Sequence, residues 1–323
     1  MVYELDLKDR KILYELDINS RQSDSEIGKK TKLSKQVVNY HIKRLVKNGI
    51  ISSFFTHINL YKLGYSGHKI YIKFKALPVE KEKEMWDYLE KKLTIVYILS
   101  CSGRWDLVLG IASKNLEELE QVLSEFMNHY SSFILERAIT IYNRGTMHNR
   151  KWILNKKSRE TSWLLGGKIK DIKIDDLDRE ILKVLIKNAR TPIIEIAEKL
   201  RTSSSLVIQR IKKLKQKGII VGFRIWIPRE KLGMHYCKAF IYYQNKTTEK
   251  EKKLLEYCEN IPSVLGITQN IGPWDLELEL EVEDYAEFHK LLKNLKNRFD
   301  IISNFETAYG EKETSKSYLP ENF

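Results

Sequence analysis

Residues Ser34–Ile51 read SKQVVNYHIKRLVKNGII, and a near copy, SSSLVIQRIKKLKQKGII, returns at Ser203–Ile220. Sliding the chain over itself by 169 residues, without a gap, pairs Ile42 with Ile211, Leu45 with Leu214 and Gly49-Ile50-Ile51 with Gly218-Ile219-Ile220. Upstream, the same register lays Asp9-Arg10 on Asp178-Arg179 and sets Asn19 and Arg21 on Asn188 and Arg190. Downstream it lays Leu63-Gly64 on Leu232-Gly233, and Gly103, Trp105 and Asp106 on Gly272, Trp274 and Asp275. One register held for about a hundred residues is a duplication of a unit of roughly 140 residues, too long for a solenoid repeat of 20 to 50.

Within the first copy, Ser34 reads as the N-cap of a helix whose Val38, Ile42, Leu45 and Val46 recur at helical spacing and face inward. Its other face carries Lys35, Gln36, Asn39, Tyr40, Lys43, Arg44 and Lys47, and Asn48-Gly49 closes it as a left-handed cap. Two shorter helices precede it: residues 6 to 18, with Leu7, Ile12, Leu13 and Leu16 on one face, and residues 24 to 30 behind Ser23 or Asp24 as cap. In the second copy Leu206, Val207, Ile211 and Leu214 face inward, while Ser204, Ser205, Gln209, Lys212, Lys213 and Lys217 point out. Three short helices ending in one with a polar, basic outer face follow the helix-turn-helix plan, in which the third helix enters the major groove.

The formal net charge is +13 over 323 residues, and its placement says more than its sum. Residues 22 to 47 and 195 to 217 each carry seven Lys and Arg against two Asp and Glu; residues 66 to 145 carry eleven of each sign, and residues 235 to 323 eleven basic against sixteen acidic. Positive charge therefore concentrates on the repeated helices, which suits double-stranded DNA as partner. Lys and Arg can neutralise phosphates, whereas Gln36, Asn39 and Gln209 can read base edges. Cys101, Cys237 and Cys258 are odd in number and lack C-x-x-C spacing, so neither a disulfide framework nor a structural zinc site is expected. No cofactor is called for, no apolar run spans a membrane, and the start MVYELDLKDR lacks a signal peptide's apolar core. A cytoplasmic, nucleoid-associated protein is expected.

After each third helix the pattern gives a β segment, Ile50–Asn59 or Ile219–Pro228, then a Leu-Gly turn. Strand, helix, strand, strand, helix, strand follow, at about 68–142 and 237–309; a ferredoxin-like βαββαβ order with both helices on one face is expected. The fold class is therefore α+β. The expected domains are a helix-turn-helix unit at 1–60, a ferredoxin-like domain at 61–145, a basic linker at 146–173, a second helix-turn-helix unit at 174–229 and a second ferredoxin-like domain at 230–323. Trp152 and Trp163 make that linker too apolar for a simple tether, so part of it should pack on a domain.

The start L-D-x-x-D-R-x-I-L, the helix L-S-x-x-x-V-x-x-R-I-x-x-L-x-x-x-G-I-I and the G-x-x-D between the second and third strands resemble the Lrp/AsnC, or feast/famine, family of bacterial and archaeal transcription regulators. The resemblance covers both copies. It implies a winged helix-turn-helix joined to a RAM-type βαββαβ sensing and dimerising domain, with subunits pairing sheet against sheet. Ordinary members carry one copy; this chain looks like a covalent dimer, with a higher homo-oligomer open to it. The resemblance further implies an amino-acid effector at the G-x-x-D loops, here Gly103, Trp105 and Asp106, and Gly272, Trp274 and Asp275. Where the family often places an arginine in the third helix, the second copy has Arg210 and the first His41. Non-equivalent reading heads and a non-palindromic site follow, and His41→Arg should strengthen binding.

Strand alternation adds an expectation of its own. Lys69, Tyr71, Lys73 and Lys75 alternate with Ile70, Ile72 and Phe74, and Glu277, Glu279, Glu281 and Glu283 alternate with leucines and Val282. A basic sheet facing an acidic one would make the two halves prefer each other, with Lys73 and Glu279 as a pair to exchange. Three other functions compete. The chain also resembles siroheme decarboxylases of the same fold, sometimes fused in pairs, but the His-Asn-Tyr and Arg-x-His of those enzymes fall at Tyr97–Gly103 and Gly266–Gly272, where no histidine stands. Chromatin-like DNA packaging is the second alternative, and a helix-turn-helix unit kept only for protein contacts the third.

Overall fold

The computed structural model describes residues 2–92, 94–156 and 161–315. Parts of the expected linker (157–160) and of the second ferredoxin-like domain (316–323) lie outside the described residues.

The first head is α1 (Leu7–Ile18), α2 (Asp24–Thr31) and α3 (Lys35–Lys47), followed by strand β1 (Ser53–Ile58). Capping sets each helix start: the Asp6 carboxylate accepts from Asp9 N, Ser23 and Glu26 form a reciprocal capping box, and Ser34 accepts from Val37 N. Gly49, at φ +66°, ends α3 in a conformation that a Cβ would strain. Val38, Ile42 and Leu45 pack on Ile12, Leu13, Leu16 and Ile27. Two expected inward residues are instead exposed, Leu7 at the first helical position and Val46 near the last turn. The second head repeats the plan with α6 (Asp176–Lys187), α7 (Ile193–Lys199), α8 (Ser204–Gln216) and β7 (Ile220–Trp226).

The strand after each head also reaches across to the other copy. β1 and β7 pair antiparallel with each other, and Phe55 lies opposite Arg224, its own equivalent in the 169-residue register, so a pseudo-twofold axis passes through that pair. Each head thereby completes its core with the other copy's strand: Ile225 and Ile227 join the first head, Phe54 and Ile58 the second. The β segments expected at Ile50–Asn59 and Ile219–Pro228 are present, and they join the two heads to each other.

The two βαββαβ units are β2 (Ser66–Phe74), α4 (Val79–Lys91), β3 (Ile95–Gly103), β4 (Leu107–Ser113), α5 (Leu116–Tyr130) and β5 (Ile134–His148), then β8 (His235–Tyr243), α9 (Thr248–Asn260), β9 (Val264–Ile271), β10 (Leu276–Val282), α10 (Tyr285–Arg298) and β11 (Ile302–Ser315). The strand order β2-β4-β3-β11-β8-β10-β9-β5, with β5 pairing back to β2, closes an eight-stranded ring. Its seams are the long strands: β5 pairs first with β2 and then with β9, and β11 first with β8 and then with β3, with register shifts after Tyr142 and Gly310. Apolar faces of each sheet take the helices, and the opposite faces look into the ring. The linker is no tether: β5 runs on to His148, and Ser162–Gly166 forms strand β6 on β5. Trp163 is buried and Trp152 Nε1 donates to Glu281.

Inside the ring, Lys69 and its equivalent Lys238 converge on Glu277 and Glu279. Lys238 Nζ lies 2.6 and 2.8 Å from the two carboxylates and Lys69 Nζ 2.9 and 3.2 Å; Tyr71 Oη donates to Glu277. Burial alone would drive Lys238 down, but Glu277 and Glu279 outweigh it and hold its pKa well above the ordinary lysine value. Burial likewise opposes ionisation of Glu279, and Lys238 with Lys69 overcomes it, keeping that carboxyl below its usual range. The register puts Val108 and Gly110 of the first copy where the second has Glu277 and Glu279. Facing charges do meet, but the expected partner Lys73 is not the one: it pairs with Asp106 at 2.6 Å near the surface. The second sheet is also not purely acidic as expected: both copies supply a lysine, and only the second supplies the glutamates.

Removing one member of a buried pair strands the others. Lys238→Met should destabilise by about 3–5 kcal/mol, and Lys73→Ala by about 1 kcal/mol or less, both measured by urea unfolding. Glutamates with depressed pKa values contribute fully at neutral pH and lose that contribution as pH falls through the depressed values, so the difference between the variants should shrink in acid.

Candidate nucleic-acid interface

The two third helices project from one frame. Arg190 Nη1 donates to the carbonyls of Ser20 (2.7 Å) and Gln22 (3.0 Å), and its equivalent Arg21 donates to the carbonyl of Ala189, the equivalent of Ser20. With the β1–β7 ribbon, these reciprocal bonds fix the spacing and orientation of α3 and α8. Arg190 also pairs with Asp24 at 2.8 Å, and Asp24 accepts from Asn39 Nδ2 at 2.8 Å.

On α3, Lys35, Gln36, Tyr40 and Lys43 are exposed; on α8, Ser205, Gln209, Lys212 and Lys213 are exposed and Ser204 is half-buried. These side chains stand where the sequence places a DNA-facing surface. Three of the expected residues are committed inside their heads. Asn39 is held by Asp24. Arg44 Nη2 donates to Asp6 (2.9 Å) and Asp9 (2.6 Å), and the hydrogen bond to Asp9, followed by that to Asp6, raises its pKa. Arg210 donates to Asp175 and, at 3.3 Å, to Asp178, which raises its pKa in the same way. Asp175 and Asp178 are the equivalents of Asp6 and Asp9, so an arginine bridges the start of the first helix in both heads, from positions one turn apart.

His41 is the larger correction. Only 5% exposed, it places Nδ1 2.8 Å from Asp9 Oδ1 and 3.3 Å from Arg44. It faces the head's interior, so a substitution there acts on the Asp9 contact and not on a phosphate. Its position three residues after Val38 and four before Leu45 carried that signal. Sequence reasoning also missed Ile208, which is 55% exposed on α8 where α3 has Asn39; an apolar group there suits a thymine methyl.

The G-x-x-D loops are built into the ring. Trp105 and Trp274 are each 1% exposed and pack with their centroids 6.1 Å apart, Tyr71 and Phe240 lying 4.6 and 4.7 Å from Trp274. Asp106 accepts from Phe74 N and Asp275 from Tyr243 N. Gly103, at φ +104°, has no room for a Cβ, which would meet Thr307 O at 2.7 Å, and at Gly272 a Cβ would meet Thr140 Cγ2 at 2.8 Å. Asp106 in addition lines a cavity of about 270 Å³ with Trp86, Glu82 and Glu311.

Among the described residues, Asp6, Asp9 and His41 bring ligand-type atoms within 4.8 Å of one another, but Arg44 is already bonded to both carboxylates there. The three cysteines are buried and free, and burial pushes each thiol up to about 12. No helix of the described residues is long and apolar enough to cross a membrane.

Residues 5–52 and 174–221 each match the winged helix-turn-helix DNA-binding family, which places the two heads in that class of DNA-binding proteins. Each copy is similar in length to whole single-copy regulators. One stretch is 33% identical over 134 residues to the regulatory protein AsnC of Haemophilus influenzae, covering 42% of this chain and 89% of that one. A match 52% identical over 130 residues to the HTH-type transcriptional regulator LrpA of Pyrococcus horikoshii covers 40% of this chain and 91% of that one. The chain belongs to the Lrp/AsnC family of transcription regulators, present here as a tandem pair. Over its full length it shares a fold with the siroheme decarboxylase NirDL, at a TM-score of 0.65 and 13% identity, covering 98% of this chain and 96% of that one; at that identity the likeness is one of fold alone.

Two neighbouring basic residues separate the roles of this surface. Arg44→Ala, which frees Asp6 and Asp9, should cost about 1.5–3 kcal/mol of stability, whereas Lys43→Ala should stay within about 0.5 kcal/mol and weaken DNA binding. Chemical denaturation and a fluorescence-anisotropy titration on the same two proteins check both halves.

Proposed function

We propose that the chain is a sequence-specific DNA-binding regulator in which one polypeptide does the work of a dimer. The observation that carries this is the Phe55–Arg224 dyad: two recognition helices related by a pseudo-twofold axis, in a frame built by both copies. Half-sites about 34 Å apart, or a multiple, on one face of the duplex fit such a frame. Lys35, Lys43, Lys212 and Lys213 hold phosphates, and Gln36, Tyr40, Ser204, Ser205 and Gln209 face the bases. Arg44, Arg210 and Asn39 act at one remove, by fixing their helices. Because Gln36 and Tyr40 correspond to Ser205 and Gln209, the two half-sites should differ and the whole site should be non-palindromic.

A small effector belongs to this reading. For the amino acid that the family resemblance implies, the first-copy loop is the better place: Glu82 and Glu311 suit an ammonium group in a cavity that they line with Asp106, which Lys73 already pairs. Gly103 and Trp105 belong to the same loop as Asp106 and serve that site as scaffold, with Trp105 packed on Trp274 of the second-copy loop; Gly272 and Asp275 lie outside that cavity's lining. Work at the nucleoid follows from DNA binding.

Selection of bound sequences from a random pool, followed by titration at several salt concentrations, tests the reading. Gln36→Ala should relax preference in one half-site only, by about 1–3 kcal/mol, and Lys212→Ala should lower the salt slope by about 0.9 with preference unchanged. Steep salt dependence without sequence preference would favour DNA packaging instead.

A further inference from the structure

Between the β1–β7 ribbon and the ring lies a cavity of about 280 Å³. Its walls come from both copies and the connector: Phe55 and Ile225 of the ribbon, Val96 and Ile111 of the first sheet, Leu265 of the second and Leu165 of the former linker. It is therefore a different place from the G-x-x-D loops, and it exists only when both copies and the connector are assembled.

Three features define what such a space would hold. The walls just named are apolar. The charges around it cancel: the five cations of the ring and ribbon networks, Lys69, Lys238, Arg150, Arg224 and Arg229, face five carboxylates. Beyond Glu277 and Glu279, these are Glu281, which Arg150 and Arg229 bond at 3.0 and 2.5 Å; Asp17, which Arg150 and Arg224 bond at 2.8 and 3.0 Å; and Glu313, which pairs with Arg229. A net-charged ligand would have to break this balance in a site shielded from water, where an unpaired charge is costly. Third, a few polar atoms lack partners. His57 Nδ1, His68 Nδ1 and Arg224 Nε have none among the described residues, although His68 and Arg224 are each 4% exposed and all three residues line the cavity. Buried polar groups are seldom left this way. Burial, with Arg224 adding to it, pushes His57 down to about 3, and burial lowers His68 as well, so both rings are neutral and can accept or donate.

An apolar space with a few convergent polar atoms is the usual form of a small-molecule site. We propose that this cavity binds an uncharged, largely apolar small molecule, ring-sized and carrying one or two hydrogen-bonding groups that meet His57 and Arg224. Its occupant would touch the strands that join the DNA-binding heads and the ring at once. Only its use in regulation rests on the function proposed above; the binding itself needs no DNA.

The test uses the full chain and N-phenyl-1-naphthylamine, an uncharged fluorescent aromatic with a single N–H. A saturable one-to-one fluorescence enhancement is expected, at least tenfold weaker in Val96→Phe, which fills the space, and at least threefold weaker in His57→Leu, which removes the acceptor but keeps the bulk. The sulfonated analogue 1-anilinonaphthalene-8-sulfonate should bind at least tenfold more weakly than the neutral probe. Absence of saturable binding to the unmodified chain overturns the site, as does binding unchanged in variants that melt like the parent. If Val96→Phe melts early, His57→Leu alone decides. Tighter binding of the sulfonate overturns the uncharged class of ligand. Because no arm contains DNA, failure here leaves the regulator reading untouched.

Discussion

Two lysines at equivalent positions of a duplicated chain, Lys69 and Lys238, come together inside a closed sheet and share the carboxylates Glu277 and Glu279. Two identical halves could not make this contact. A ring built from two first copies would bury both lysines opposite Val108 and Gly110, with no carboxylate. A ring built from two second copies would bury four glutamates around two lysines. Stripping a charge of water costs several kcal/mol even after relaxation, so both self-pairings are penalised and the mixed pairing alone is neutral. The cluster then matters less for stability than for partner choice, and fusing the copies into one chain ensures that the right partner is always present.

The rest of the structure inherits this asymmetry. Asp17, which has Ile186 as its counterpart, ties the first head to Arg150 of the connector and Arg224 of the ribbon, and Glu281 ties Arg150 and Arg229 to the ring. The second head has no such anchor through position 186; it packs its apolar core on Leu63, Tyr65 and Ala112. The exposed faces of α3 and α8 differ as well, with Gln36 and Tyr40 on one side and Ser205, Ile208 and Gln209 on the other. A frame with near-twofold geometry thus presents two unlike helix faces, at a spacing that the ribbon and the Arg21 and Arg190 bonds hold fixed.

Much of this was legible in the sequence. The helices and the βαββαβ order follow from periodicities of 3.6 and 2, because burying one face of each element requires them. The alternation of Lys69 and Lys73 with isoleucines placed both on the ring-facing side, but parity cannot say how far along a strand the partner sheet reaches, and Lys69 is the one within reach. Pairing of β1 with β7 was hidden for a related reason: a single strand's pattern shows which face is buried, not whose edge it joins. His41, Arg44 and Asn39 were read as outward because polar side chains usually are; their acidic partners, Asp9, Asp6 and Asp24, are distant in sequence and near only after the helices pack. The cavity between ribbon and ring had no sequence signal, since its walls come from segments scattered between Phe55 and Glu313.

A covalent dimer must engage both half-sites with one chain. Native mass spectrometry of the complex with a duplex carrying one selected two-half-site sequence measures this directly. One chain per duplex is predicted, with a second chain bound only when a second complete site is added. Two chains on a single site, each using one head, would contradict it.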